Sequence, residues 1–111
     1  MTQVTVIHTA FEDSPRTVAF VDTPFAVVEE ALEYAYRKTN NIMGSWSKGP
    51  EIEHEGELHN NPDYSEDVTV MTPLEVVDGV EYGLRSTSMG DQMLIGTTKY
   101  VVDMVGFKEL V

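Results

Sequence analysis

The sequence contains no cysteine, so neither a disulfide framework nor a thiolate zinc site is available to it. That absence agrees with a reducing compartment. Positive charge is scarce: 7 Lys and Arg stand against 19 Asp and Glu, and the formal net charge is −12. Such a field repels phosphate and anionic lipid, so direct nucleic-acid binding starts at a disadvantage. No apolar run approaches the ~18–20 residues that a membrane-spanning helix needs. The N-terminal stretch lacks a basic segment followed by a long apolar one, so no signal peptide is expected. Hydrophobic content of 41% and aromatic content of 9% suffice for a packed core. A chain of 111 residues is of single-domain size. The expectation is one soluble, cytoplasmic domain over 1–111.

The acidic charge is unevenly spread. Residues 40–83 hold ten acids and only Lys48, a net of −9, whereas residues 84–111 are neutral. A field so concentrated suits a basic partner or cations.

Period and turn chemistry predict the elements. Gln3 to Phe11 is rich in β-branched residues and reads as a strand, with Val4, Val6 and His8 on one face. Glu12 to Pro15 supplies a turn, and Thr17 to Val21 a second strand, so the pair is expected to form a hairpin. The helix is expected over 24–39, with Thr23 as N-cap and Pro24 in the first turn. Phe25, Val28, Leu32 and Ala35 would form its apolar stripe, and Asn40 and Asn41 its C-terminal cap. Residues 41–67 read as a long acidic loop or insertion, with Ile42, Met43 and Trp46 anchoring its start on the core. Within it, Glu51 to Leu58 reads as a strand or as acidic loop. Asp67 to Thr72 is a further strand, Leu74 to Val77 its extension or one helical turn, and Asp78-Gly79 a turn signal. Gln92 to Ile95 and Lys99 to Met104 look like a hairpin about Gly96-Thr97-Thr98. The predicted fold class is α+β: an antiparallel or mixed sheet of about five strands packed on the helix 24–39, partly barrel-like at its C-terminal end.

Short segments near the C-terminus carry a resemblance. They are Arg85 to Asp91, Lys99 to Asp103 and Gly106 to Leu110, together with Leu32 to Tyr36 leading to Asn40, and Asp63-Tyr64. In these the chain resembles the YodL-like domain found in proteins of phages, plasmids and other mobile elements. Gly90 departs from the serine usual in that family, and the acidic 44–60 stretch departs as well. The resemblance implies a mobile-element setting and supplies no catalytic residues.

Three constellations invite chemistry. Ser86, Thr87 and Ser88 with Asp91 resemble a nucleophile near an acid, but nucleophilic hydroxyls need a positioned base and no histidine is close in sequence. A hydroxyl-bonded turn, with Gly90 at positive φ and Asp91 satisfying nearby N–H groups, is the favoured reading. Glu51, Glu53, His54, Glu55, Glu57, His59 and Asp63 form an acid–imidazole cluster. His54 and His59 are the candidates for holding a divalent metal, although the spacing matches neither an EF-hand nor a zincin helix. A solvated acidic face is favoured. His8 reads as a hydrogen-bonded structural histidine, and Tyr34, Tyr36 and Trp46 beside Lys48 as rings filling the core with polar tips outward.

No cofactor is predicted, and no catalytic residue is assigned. The expected function is a small acidic interaction protein of phage or mobile-element type. It would bind a host, defence or phage protein with a basic surface, with nucleic-acid mimicry as one mode. Its interaction surface is expected at Trp46, Glu51, Glu53, Glu55, Glu57, Asp63, Glu66 and Asp67. A metal-dependent enzyme or ligand-binding protein using His54 and His59 is the alternative, a virion or assembly component a further one, and homo-oligomerisation stays open.

Overall fold

The computed structural model describes residues 2–71 and 73–110, so Thr72, in the expected strand 67–72, and Val111 lie outside the described residues. In chain order the elements are β1 (Thr2–His8), β2 (Arg16–Thr23), α1 (Val28–Lys38), β3 (Glu51–His54) and β4 (Glu57–Asn60). There follow β5 (Val68–Val70), β6 (Val76–Val77), β7 (Val80–Glu81), β8 (Gln92–Ile95), β9 (Thr98–Val102) and β10 (Phe107–Leu110).

Six strands form one antiparallel sheet in the order β10-β9-β8-β1-β2-β5, and β3-β4 and β6-β7 are separate hairpins. The molecule is mostly sheet with one short helix, and the large sheet is open, with β10 and β5 at its edges. The expected barrel-like closure is therefore corrected. So is the choice left open between mixed and antiparallel, since every described pairing is antiparallel.

The β1–β2 hairpin forms where β-branched density predicts it. Its register contains one irregularity: Val6 pairs with Ala19 but Ile7 with Thr17, leaving Val18 as the extra residue of a bulge. Two neighbours in sequence, Val18 and Ala19, are buried together as a result. Val4, Val6 and His8 on β1 are all buried, as the period-2 reading requires.

The helix starts four residues later than expected. Thr23 pairs with Thr2 and is fully buried, so strand pairing claims the residue that was expected to cap. The N-cap is Val27, with no side-chain cap, and Glu29 and Glu30 are left to complement the N-terminal dipole. At the other end Arg37 and Lys38 occupy the last turn, and Thr39 closes the helix through its N–H and hydroxyl to the Ala35 carbonyl. Ala31, Leu32 and Ala35 face the sheet and join Val4, Val6, Ala19, Val21, Met93 and Val102 in one core.

Trp46 is the largest buried side chain, and its ring anchors the start of the 41–50 loop as expected. Ile42 and Met43 do not; they are 72% and 80% exposed. Their backbone is held instead by Asp63, which removes the need for an apolar anchor.

Leu32 is the one large aliphatic side chain that the helix inserts fully into this core. Leu32→Ala is expected to lower the unfolding free energy by about 2–5 kcal/mol in urea denaturation, through lost burial and the cavity left behind. Val28→Ala, on the exposed flank of the same helix, should cost under about 1 kcal/mol.

Candidate functional site

Two polar assemblies stand out, one sealed and one open. The sealed one is built around Asp91, immediately before β8 and 0% exposed. Its Oδ1 accepts the Thr9 and Ala10 amides at 2.8 and 2.9 Å, and its Oδ2 accepts the Ser88 amide at 2.8 Å. Arg85 donates to both oxygens, Nη1 to Oδ2 at 2.7 Å and Nη2 to Oδ1 at 2.9 Å. Burial pushes the Asp91 pKa up, but the Arg85 guanidinium and the amides of Ala10, Ser88 and Thr9 outweigh it and hold the carboxyl well below the usual range. The expectation that Asp91 satisfies nearby N–H groups holds for Ser88 and extends to the turn just after β1. Gly90 has φ +96, as expected, and a Cβ there would meet Ala10 Cβ at 3.2 Å.

Folding also brings a histidine to the hydroxyl turn. His8 Nε2 lies 3.0 Å from Thr87 Oγ1 and 4.0 Å from Asp91 Oδ2. Burial lowers the His8 pKa, against the pull of the Asp91 carboxylate and with help from Arg85. The trio names a nucleophile, base and acid, but the same imidazole nitrogen faces both partners. Both His8 and Thr87 are 1% exposed, leaving no room for a reacting group. Trp46 seals the site from above, its ring edge-on to His8 at 6.3 Å and its Nε1 donating to the Arg85 carbonyl. This is a structural lock.

The open assembly begins at the base of the 41–67 segment. Asn61 is buried; its Oδ1 accepts the Ser45 and Asp63 amides, and its Nδ2 donates to the carbonyls of Ser45 and Gly49. Asp63 Oδ2 accepts three successive amides, Ile42 at 2.7 Å, Met43 at 3.0 Å and Gly44 at 2.7 Å. Gly44 is required here, because a Cβ would stand 2.3 Å from Asn61 Oδ1. From this base the β3–β4 hairpin projects, turning at Glu55-Gly56 with φ of +53 and +80, the pair of positive values a tight two-residue turn demands.

The predicted surface residues divide accordingly. Glu51, Glu53, Glu55, Glu57 and Glu66 are all exposed. Asp63 is occupied by the three amides, and Asp67 accepts the Tyr34 hydroxyl, raising the Tyr34 pKa. Trp46 is buried, so the surface excludes it. The register splits the glutamates between the two faces of the hairpin: Glu53 pairs with Leu58 and His54 with Glu57, so Glu57 shares a face with His54, His59 and Ile52, away from Glu51 and Glu53. The His54 and His59 rings lie 6.3 Å apart. Among the described residues no group of three or more His, Asp or Glu is placed to hold a metal ion.

The sequence reading missed the second hairpin, β6–β7. Its turn, Asp78-Gly79, has φ of +53 and +79. It exposes Val76, Val77 and Val80, and Tyr82 just beyond it is also exposed. Asp-Gly between Val76-Val77 and Val80 was the available signal. The two hairpins flank one depression: Glu53 and Glu55 from one and Gly79, Val80 and Glu81 from the other line it, with Lys48 as its single base. A separate cleft of about 420 Å³ lies along α1, with Phe25 and Phe107 between Glu29, Glu30, Glu33 and Arg37.

No family model, curated protein or solved structure matches this chain.

The lock has an acid signature. Both His8 and Asp91 have folded-state pKa values below their ordinary 6.5 and 3.8, so the unfolded chain binds protons that the folded one refuses. Their stabilisation is fully present above those values and is lost as pH falls, first below 6.5 for His8 and then below 3.8 for Asp91. Urea unfolding followed across this range should show stability falling by up to about 1.4 kcal/mol per pH unit for each group. Asp91→Asn should start some 3–5 kcal/mol less stable at neutral pH and show a flatter fall in the acid limb. Equal acid limbs in both proteins would count against the lock.

Proposed function

We propose that this chain is a small acidic interaction protein that docks a basic-surfaced protein through its paired hairpins, β3–β4 and β6–β7. The observation that supports it most is the company those hairpins keep. Leu58, Val76, Val80 and Tyr82 are each more than half exposed, beside Glu53, Glu55 and Glu81. Neither hairpin contributes a buried residue to the main core. Apolar side chains left in water on elements the core does not need are a mark of an interaction surface. An aliphatic and aromatic centre with a charged rim is the usual anatomy of one. Carboxylates supply the rim here, which selects a partner rich in Lys and Arg and steers its approach.

The setting follows from the same proposal. The C-terminal resemblance to YodL-like domains favours a phage, plasmid or mobile-element protein acting in the cytoplasm on a host, defence or phage partner, with electrostatic imitation of nucleic acid as one mode. The scaffold is read as α+β in class, a sheet with one covering helix. A metal-dependent role for His54 and His59 is the weaker reading, resting on two imidazoles sharing one hairpin face. A virion or assembly role would use the same surface.

Capture of partners from host lysate over a salt series tests this. The expected outcome is binding that weakens steeply with salt, as exposed charges are screened beyond ~8 Å at physiological ionic strength. Reversing Glu51, Glu53, Glu55 and Glu57 to lysine should abolish capture, while reversing Glu29, Glu30 and Glu33 on the helix should leave it. Unchanged capture after the hairpin reversal would sink the proposal.

A further inference from the structure

Helix α1 covers one face of the six-stranded sheet, and among the described residues no other helix or strand packs extensively across the opposite face. The registers give the composition of that open face. One row across the strands reads Thr69, Phe20, Thr5, Leu94, Lys99, Leu110, and the next reads Thr17, Ile7, Gln92, Val101, Lys108. Paired residues share a face, and these alternate with the buried Val4, Val6, Ala19, Val21 and Met93, so they all point away from the core. Neighbours offset by two residues lie diagonally adjacent on one face, within reach of large side chains. Phe20, Ile7, Leu94, Val101 and Leu110 are connected in this way, one from each of β2, β1, β8, β9 and β10, into a continuous apolar stripe.

Charge distinguishes this face from the rest of the molecule. Its strand residues include Lys99, Lys108 and Asp22, a small positive excess on a chain of net charge −12. Two copies of so acidic a chain repel each other from almost every direction, and here the repulsion is least. The charges are also arranged for self-pairing. The lysines lie on β9 and β10 at one side of the sheet, and Asp22 on β2 toward the other. A two-fold axis parallel to the strands, between two facing sheets, lays each lysine edge over the partner's Asp22 edge and each apolar stripe across the other.

We infer that the open sheet face is the contact surface of a symmetric homodimer, two copies packed sheet on sheet with their helices outward. Aligned packing of this kind sets the sheets ~10 Å apart with side chains interdigitating. Six strands at ~4.8 Å spacing make a face roughly 24 Å wide, a small contact of the kind that weak, transient complexes use. The hairpins carry none of the stripe, so the dimer stands or falls independently of the proposed partner.

Sedimentation velocity across the micromolar range tests it. The expected result is a concentration-dependent shift from one chain to two, tightening as salt screens the net repulsion, the opposite sign from partner capture by the hairpins. Leu94→Glu, on the open face, should give a monomer with unchanged circular dichroism. Lys99→Glu, at an exposed position outside the core, should weaken dimerisation by about tenfold or more, while Glu53→Lys leaves the dimer intact. A monomer at every concentration overturns the inference. So does a dimer that survives both Leu94→Glu and Lys99→Glu, since that would mean pairing through a sheet edge or another surface.

Discussion

A carboxylate with no access to water must be satisfied entirely by the protein, and Asp91 is satisfied by three separate parts of the chain. The turn just after β1 supplies two amides, the 84–90 segment supplies the Arg85 guanidinium and the Ser88 amide, and the backbone of Asp91 itself bonds Val102 in β9. Removing any one of these arms leaves buried donors or a buried charge unpaired, which costs more than the bond is worth when made. The 84–90 segment has no strand ladder of its own. It is positioned by this carboxylate on one side and by the helix end on the other, where Thr87 donates to the Thr39 carbonyl and Ser86 accepts the Asn41 amide. Helix, central strands and the root of the second hairpin are thereby tied together at one point.

The tie explains why the acidic hairpins can project without unravelling the domain. Leu84 donates to Ser47, and Gly83 lies so close to the Ser45 and Ser47 hydroxyls that a side chain there would collide with them. Asn61 and Asp63 fix the first hairpin to the same turn. Both hairpins thus grow from a common rigid base around residues 44–48 while their tips stay in solvent. Their carboxylates and exposed aliphatics contribute little to the core, so their composition can change at little cost to it. A surface of this kind sits on a stable scaffold and is tuned separately from it.

Much of the scaffold was legible because its signals are local. The β-branched run of β1, the apolar spacing of Leu32 and Ala35, and the glycine-punctuated β8–β9 hairpin each declare themselves within a dozen residues. What failed to show was whatever depends on pairing at a distance. Thr23 looks like a cap until its strand pairing with Thr2 is known, and β6–β7 is too short for periodicity, leaving only Asp78-Gly79 to mark it. The meeting of His8 with Thr87 spans 79 residues and that of Thr9 with Asp91 spans 82, so neither was open to a reading of neighbours. For the candidate surface, the exposed glutamates of 51–57 were plain from charge alone. Glu81, Val80 and Tyr82 were not, because only the fold brings the second hairpin beside the first.

Hydrogen–deuterium exchange on the chain, free and bound to a captured partner, addresses the central claim most directly. The account predicts rapid exchange in the free hairpins and new protection on binding concentrated in residues 51–60 and 75–82. The amides of Thr9, Ala10 and Ser88 at the Asp91 lock should stay protected in both states. Protection appearing along α1 and its cleft instead, with the hairpins unchanged, would contradict it.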